Sequence, residues 1–486
     1  MNAKARFIKQ LSKVSGLAVL SRLTGFIRDV CQLSILGIDA LSDAFTTAFM
    51  LPSIARKLTS EGLFNAAFIP IYQQIKTEHN QEQADIWASN VIWIICLFTT
   101  LILLIFELFM PFLLTFLTPG FINKPTWHLL ITLSRIMFIT IIGSTLSSLI
   151  NSFWTAQKHY LLASIGSTIC NVGIISATLF SRSIYQAAFS IVFGVYLQFV
   201  ITLIPMRKRL YFRKTSHILH TKQFIKLLAP LIYSGILLQG LGLVSGLFAS
   251  WLPKGQLTYI NKAEKLLLLP ISLIGVTLNT VLVPTLATRI HKGYITLSAK
   301  IALLLSCFVV INLISASNSI TYLAFGFGKV LLSDTEQIAH IIRLLALSMP
   351  AWVLLKVCQA SLASIKDTKS NLYGNIIHVT SYALLGLIFL SHPNMTTLAY
   401  ISIASTWINC LFMIKRAYDK NLVENLLLFT VIVVIASFAY LTTHYMIIGP
   451  NLVDSKLSAI IHIAQTVGFF SLGFLLLYKL LVRLKL

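Results

Sequence analysis

Apolar residues in this chain do not alternate with polar ones. They run together in stretches of about twenty or more, separated by short polar segments. A helix needs about 20 apolar residues to cross a hydrocarbon core about 30 Å thick, and strands are far shorter than that. Fourteen stretches meet the requirement, at residues 10–37, 42–73, 87–117, 128–153, 160–181, 185–205, 225–251, 263–288, 301–323, 338–364, 372–391, 396–414, 424–446 and 457–478. The pattern predicts an all-α polytopic membrane protein with about 14 transmembrane helices, and an even number puts both termini on one side. The longest polar stretches, 75–85 and 207–222, are loop-sized, so no soluble domain is expected. The opening MNAKARFIKQLSKVSG has the basic character of a secretory leader. No small-residue cleavage site follows it, however, and it reads as a retained first helix.

Composition agrees with this pattern: 57% of the 486 residues are hydrophobic, only 11% are charged, and the mean hydropathy is +0.83. A formal charge of +23 raises the question of nucleic acid. With the N-terminus inside, however, 23 of the 38 basic residues occupy inner segments, and only Lys124, Arg182, Lys254, Lys329 and Lys456 lie in outer loops. That distribution points to a membrane partner, no nucleic acid, and cytoplasmic termini. The six cysteines lie in apolar stretches at no motif spacing and read as small buried hydrophobes.

The basic segment 207–222 divides the chain, and after it the pattern restarts. Ser15-Gly16 leads the first span as Ser234-Gly235 leads the seventh, and LPSIARKLTSEGLFNAAFIPIY (51–72) echoes LPISLIGVTLNTVLVPTL (269–286). Parallel six-helix repeats are a transporter design. The expected organisation is a six-helix lobe over 1–206, a basic cytoplasmic linker over 207–224, a second six-helix lobe over 225–416, and two extra helices over 417–486.

Against this background the segment SRLTGFIRD, Ser21 to Asp29, is anomalous, because Arg22, Arg28 and Asp29 interrupt an apolar helix. The second span adds Asp43, Arg56, Lys57 and Glu61, and the eighth carries Lys262, Glu264 and Lys265 just before Leu269-Pro270. The other spans are nearly free of charge apart from Glu107, Arg135, Arg343 and Lys356. At about 100° per residue Arg22 and Asp29 share one face about 10 Å apart, while Arg28 points about 120° away. An arginine at mid-membrane costs at least ~2.5–3.5 kcal/mol, so such residues face a hydrated cavity or a bundle interior, here expected between the two halves. Each charge also has a purely structural reading, as an ion pair with Asp29, Asp43 or Glu61, or as a side chain that snorkels to the interface. Basic residues outnumber acidic ones in this set, and a positive hydrated pocket selects an anion. The planar fork of arginine suits phosphate or diphosphate. Asp29, Asp43, Glu61, Glu264 and Lys262 are then the gating or charge-balancing residues.

SRLTGFIRD followed by SDAFTTAFMLPSIARKLTSEGLFNAAFIPIY resembles the N-terminal signature of the MurJ (MviN) family. These are bacterial flippases of lipid II, the undecaprenyl-diphosphate-linked peptidoglycan precursor, within the larger multidrug/oligosaccharidyl-lipid/polysaccharide exporter group. The resemblance implies a multi-pass protein of the bacterial inner membrane that moves lipid II from the inner to the outer leaflet by alternating access. It implies that Arg22, Arg28 and Arg56 bind the diphosphate, with Ser21 beside them, and that Asp43 matters to function. Where the family has arginine on the eighth helix this chain has Lys265, which keeps the charge and loses the fork. Leu268 stands where an acidic residue often precedes the proline, and Glu264 is its substitute one turn earlier. No carboxylate lies between Phe224 and Trp251, so the sodium site of some members is not carried over. The last two spans are implied to hold the prenyl tail, and a monomer in contact with cell-wall synthesis proteins is the expected state.

Other classes fit less well. A prenyl-phosphate transferase or phosphatase needs clustered carboxylates for Mg²⁺ or a His-plus-acid set. This chain has no Asp-Asp or Asp-x-x-Asp, and its eleven histidines lie singly. His378, beside Asn375, reads as a helix-contact residue. No P-loop supports an ATP-driven pump. No enzyme activity, metal or cofactor is therefore expected. The alternatives that stand are a flippase for another lipid-linked oligosaccharide, a multidrug cation antiporter, and a non-transporting scaffold of the cell-wall machinery.

Overall fold

A computed structural model describes residues 3–60, 63–211, 218–288, 292–364, 367–417 and 455–483. The expected thirteenth span, 424–446, and Glu61 lie outside these residues. Within them the chain is all helix and turn, with no strand. It divides into two compact units, Met1–Gly240 and Leu241–Leu486.

The first unit holds α1 (Ala3–Leu36), α2 (Ala40–Ala48), α3 (Met50–Ser60), α4 (Leu63–Glu78), α5 (Gln81–Leu117), α6 (Trp127–Phe138), α7 (Thr140–Ala156), α8 (Tyr160–Leu179) and α9 (Ile184–Leu203). The turn LGID separates the first two. Gly37 takes a left-handed φ of 74° after the end of α1, and Asp39 then caps α2 by accepting from the backbone N–H groups of Leu41 and Ser42, both at 2.9 Å. The expected second span is thus broken at Phe49, between α2 and α3, and the fourth is α6 and α7, broken at Ile139. At the α8–α9 contact Gly173 faces Gly194, and a Cβ on Gly194 would lie 2.6 Å from the Cys170 carbonyl oxygen, so these two helices touch backbone to backbone.

Next comes α10 (Ile218–Ala249), and the division between units falls inside it, after Gly240, not at the basic linker. Its Phe224 and Leu228 are buried in the first unit's core beside Phe68 and Trp87, with the Phe68 and Trp87 rings 5.2 Å apart. Polar contacts hold the same end of the unit. Tyr72 donates to Asp85 at 2.6 Å, Gln157 donates to the Tyr72 hydroxyl at 3.1 Å, and Arg209, in a 3-10 turn over Ile204–Arg209, donates to Gln157.

The second unit continues with α11 (Gln256–Thr288), α12 (Lys292–Ser315), α13 (Ser317–Phe325), α14 (Leu332–Ala346), α15 (Met349–Ser364), α16 (Thr368–Phe389), α17 (Met395–Ala417) and α18 (Lys456–Arg483). Arg343 of α14, one of the isolated charges, donates to Ser317 at 2.6 Å and to Asn318 at 2.5 Å and so ties down the start of α13. His378 packs its ring 5.5 Å from that of Trp352 and lies 3.4 Å from the Thr406 hydroxyl, a buried helix contact. The last helix, α18, packs on α12 and α13, with the Lys456 ammonium 3.1 Å from the centre of the Phe327 ring.

Among the described residues, eight helices or joined helices are long and apolar enough to cross a membrane, or nine when α14 and α15, bent by 46°, count as one span. The expected fourteen are not all reached among the described residues, and the stretch 424–446 lies outside them.

Candidate functional site

The segment SRLTGFIRD lies on α1 against α8. Arg28 and Asp29 are 8% and 7% exposed, and the Arg28 Nη2 atom donates to Asp29 Oδ1 at 2.9 Å, with Nε on the same oxygen at 3.3 Å. Asp29 shares its helix face with Arg22, yet its carboxylate takes the guanidinium of its chain neighbour. A long arginine stem swings through the roughly 100° between adjacent residues, and two buried opposite charges are held together by the low dielectric around them. Arg22 is exposed, about 120° around the helix from Arg28.

Arg28 opens onto a narrow cleft wholly within the first unit, and five helical segments each lend it one turn. Phe49 comes from the break before α3, Pro52 and Arg56 from α3, Thr140 and Ser144 from α7, Cys170 and Ile174 from α8, and Ile191 and Val195 from α9. Each set follows the three- or four-residue spacing of a single helix face. The empty space, counting the open mouth, is about 300 Å³. Its polar lining is two guanidinium groups, two hydroxyls and a thiol, with no carboxylate. Arg28 and Arg56 are within electrostatic reach of each other, and Asp29 acts on both. The arrangement is chemically an anion receptor, with hydrogen-bond donors of fixed direction in an apolar wall.

Of the residues singled out from sequence, Arg28 and Arg56 are brought together here and Asp29 seats Arg28. Ser21 contributes through its backbone, as its carbonyl accepts from the Asn171 amide at 3.0 Å. Asp43 is buried in the first turn of α2, where a carboxylate complements the helix N-terminus. Its field falls on Lys124 in the loop between α5 and α6: burial pushes that ammonium down from its ordinary value, and Asp43 opposes the shift. Lys262, Glu264 and Lys265 lie on α11 of the second unit, buried, exposed and half-buried respectively. Thr140, Ser144 and Asn171 were not expected. Ser144 lies in the small-polar run GSTLSSLINS and Asn171 is a lone asparagine in an apolar span, while Thr140 carries no such signal. Among the described residues, no three His, Cys, Asp or Glu side chains are grouped as metal ligands would be.

Residues 33–470 match the family model described as lipid II flippase MurJ. A probable lipid II flippase MurJ of Buchnera aphidicola subsp. Acyrthosiphon pisum (strain APS) is 24% identical over 434 residues, covering 86% of this chain and 85% of its own. One from Rhizobium meliloti (strain 1021) is 27% identical over 428 residues, covering 84% and 79%. A solved structure of lipid II flippase MurJ in an inward closed conformation shares the fold with a TM-score of 0.81 at 22% identity, over 97% of this chain and 99% of that one. An inward-facing multidrug resistance MATE family transporter of the MOP superfamily follows at a TM-score of 0.63 and 12% identity, over 83% and 96%.

Proposed function

Because the chain belongs to the MurJ family of lipid II flippases, we propose that it carries lipid II from the inner to the outer leaflet of the bacterial inner membrane by alternating access, with Arg28 and Arg56 holding the diphosphate. The observation that carries the site is the convergence of two guanidinium groups, from α1 and α3, on a cleft whose lining holds no carboxylate. Two like charges facing one cleft of low dielectric repel each other. Asp29 relieves part of that repulsion in the empty cleft, and a diphosphate spanning both arginines relieves the rest. A ligand that changes the relative stability of two states through such a contact is what alternating access requires.

The same charge argues against a multidrug cation antiporter, which needs a negative cleft. A flippase for another undecaprenyl-diphosphate oligosaccharide would use the same two arginines, so the headgroup beyond the diphosphate decides between them. We further propose that both termini are cytoplasmic, which the distribution of basic residues supports. The apolar α18, with the span before it, is proposed to accommodate the prenyl tail.

The test is depletion of this chain in a strain with no other flippase, followed by a probe of lipid II accessibility on the outer leaflet. A flippase gives inner-leaflet accumulation, reversed by the wild-type chain and not by Arg28→Ala. Unchanged outer-leaflet lipid II would leave a scaffold role.

A further inference from the structure

We propose that Asn171 is a positioning residue: its carboxamide orients the Arg28 guanidinium toward the cleft without subtracting from its charge. The inference rests on the diphosphate reading above.

The side chain of Asn171, on α8, is buried, and all of its described hydrogen bonds run to α1. Its Oδ1 accepts from Arg28 Nη1 at 3.2 Å, while its Nδ2 donates to the Ser21 carbonyl at 3.0 Å and to Thr24 Oγ1 at 3.3 Å. Ser21, Thr24, Gly25 and Arg28 fall at i, i+3, i+4 and i+7, one face of α1, so a single amide bonds three residues along that face and packs on the fourth. Gly25 lies against the amide, where a Cβ would meet Nδ2 at an ordinary contact distance of 3.4 Å. The Thr24 hydroxyl is directed to the Leu20 and Ser21 carbonyls at 2.9 and 3.1 Å, which leaves its lone pairs for Asn171. This network fixes the sense of the amide, because flipping it would set an NH₂ against a guanidinium, donor against donor.

The consequence lies in how the five N–H groups of Arg28 are shared. Asp29 takes Nε and one N–H of Nη2, and Asn171 takes one N–H of Nη1. Each terminal nitrogen keeps one further N–H, a donor left for an oxygen of the ligand. A neutral amide clamps the third corner of the fork and leaves the electrostatics unchanged. A carboxylate at 171 would still accept from Arg28, but it would set an oxygen against the Ser21 carbonyl and cancel the charge that attracts the ligand.

The experiment measures binding of undecaprenyl diphosphate to the full-length chain, purified in detergent, for the wild type, Asn171→Leu, Asn171→Asp, Arg28→Ala and the double variant Arg28→Ala/Asn171→Leu. Asn171→Leu is expected to bind about tenfold more weakly, the scale of one hydrogen bond to a charged group. Asn171→Asp should bind more weakly still, although it keeps an acceptor for Arg28. In the Arg28→Ala background, Asn171→Leu should change binding by less than about twofold, because its effect passes through Arg28. A tenfold loss from Asn171→Leu that persists without Arg28 would make the residue a plain helix contact and overturn the proposal, as would wild-type affinity in Asn171→Asp. The second of these results remains decisive if the leucine variant fails to fold. If Arg28→Ala binds as the wild type does, the diphosphate reading itself falls, and this inference with it.

Discussion

Asp29→Asn removes one charge from a buried pair while keeping its shape, and its effect can be worked from the geometry. The pair closes at 2.9 Å with both side chains 10% exposed. Charge centres about 4 Å apart at an effective dielectric near 20 attract by roughly 4 kcal/mol, and stripping one member from a buried pair costs about 3–5 kcal/mol. The asparagine oxygen still accepts from the guanidinium and recovers about 1.5 kcal/mol of this, so a net loss of about 2–3 kcal/mol is expected. For a unit the size of Met1–Gly240, at about 2–4 °C per kcal/mol, the thermal midpoint of the detergent-purified chain should fall by roughly 5–10 °C. Undecaprenyl diphosphate supplies the missing negative charge, so it should raise the midpoint of the variant by more than it raises that of the wild type. A midpoint within about 1 °C of wild type would refute the buried-pair argument, since the change expected is several times larger. An equal ligand shift in both proteins would refute the idea that substrate and Asp29 serve the same guanidinium.

Arg28→Ala and Arg56→Ala are each expected to insert at normal levels and to fail to complement a flippase-deficient strain, with the lysine variants retaining part of the function; complementation by the alanine variants at normal expression would make these residues structural. As the family resemblance implies for this lysine, Lys265→Arg should be tolerated or improve growth and Lys265→Glu should abolish complementation, and a functional glutamate variant would show that its charge is dispensable. Asp43→Asn should loosen the loop that carries Lys124 against α2, read as several-fold faster thiol labelling of a cysteine at the buried position Thr126; unchanged labelling would show that the charge does not hold the loop. Gly194→Ala should destabilise the first unit by about 1–3 kcal/mol or more through overpacking, measured as a lower thermal midpoint, and a neutral result would mean that α8 and α9 part easily.

The helices were legible because the length of an apolar stretch is itself the physical requirement for crossing a membrane. Their breaks were less so: Pro52 stands just after the one at Phe49, removing a bond to the Ala48 carbonyl, but Ile139 and Ala316 have no adjacent proline or glycine. The arginines at 28 and 56 stood out because charge in an apolar stretch is costly. What a helical wheel could not give was the partner of Asp29, since it fixes the direction of Cβ and leaves the reach of a long side chain open. Thr140, Ser144 and Asn171 escaped for the opposite reason, because small neutral polar groups bond locally within helices and carry no signature of what else they face. The boundary inside α10 was hidden because Phe224 and Leu228, buried in a protein core, look in sequence like residues that face lipid.

The backbone contact between α8 and α9 bears on how this sequence is able to drift. At exposed apolar positions of the long helix α5, such as Leu97 and Leu108, no fixed neighbour packs against the side chain, so exchange for another apolar residue is close to neutral. At Gly173 and Gly194 the neighbour is another helix's backbone, which has no alternative rotamer to adopt. Lineages can therefore diverge widely over the outer surface while these two codons stay fixed, and a change at one would have to wait for a compensating withdrawal of the helix opposite. That helix carries Cys170 and Ile174 in the wall of the cleft, so even a tolerated change there would arrive as an altered binding site.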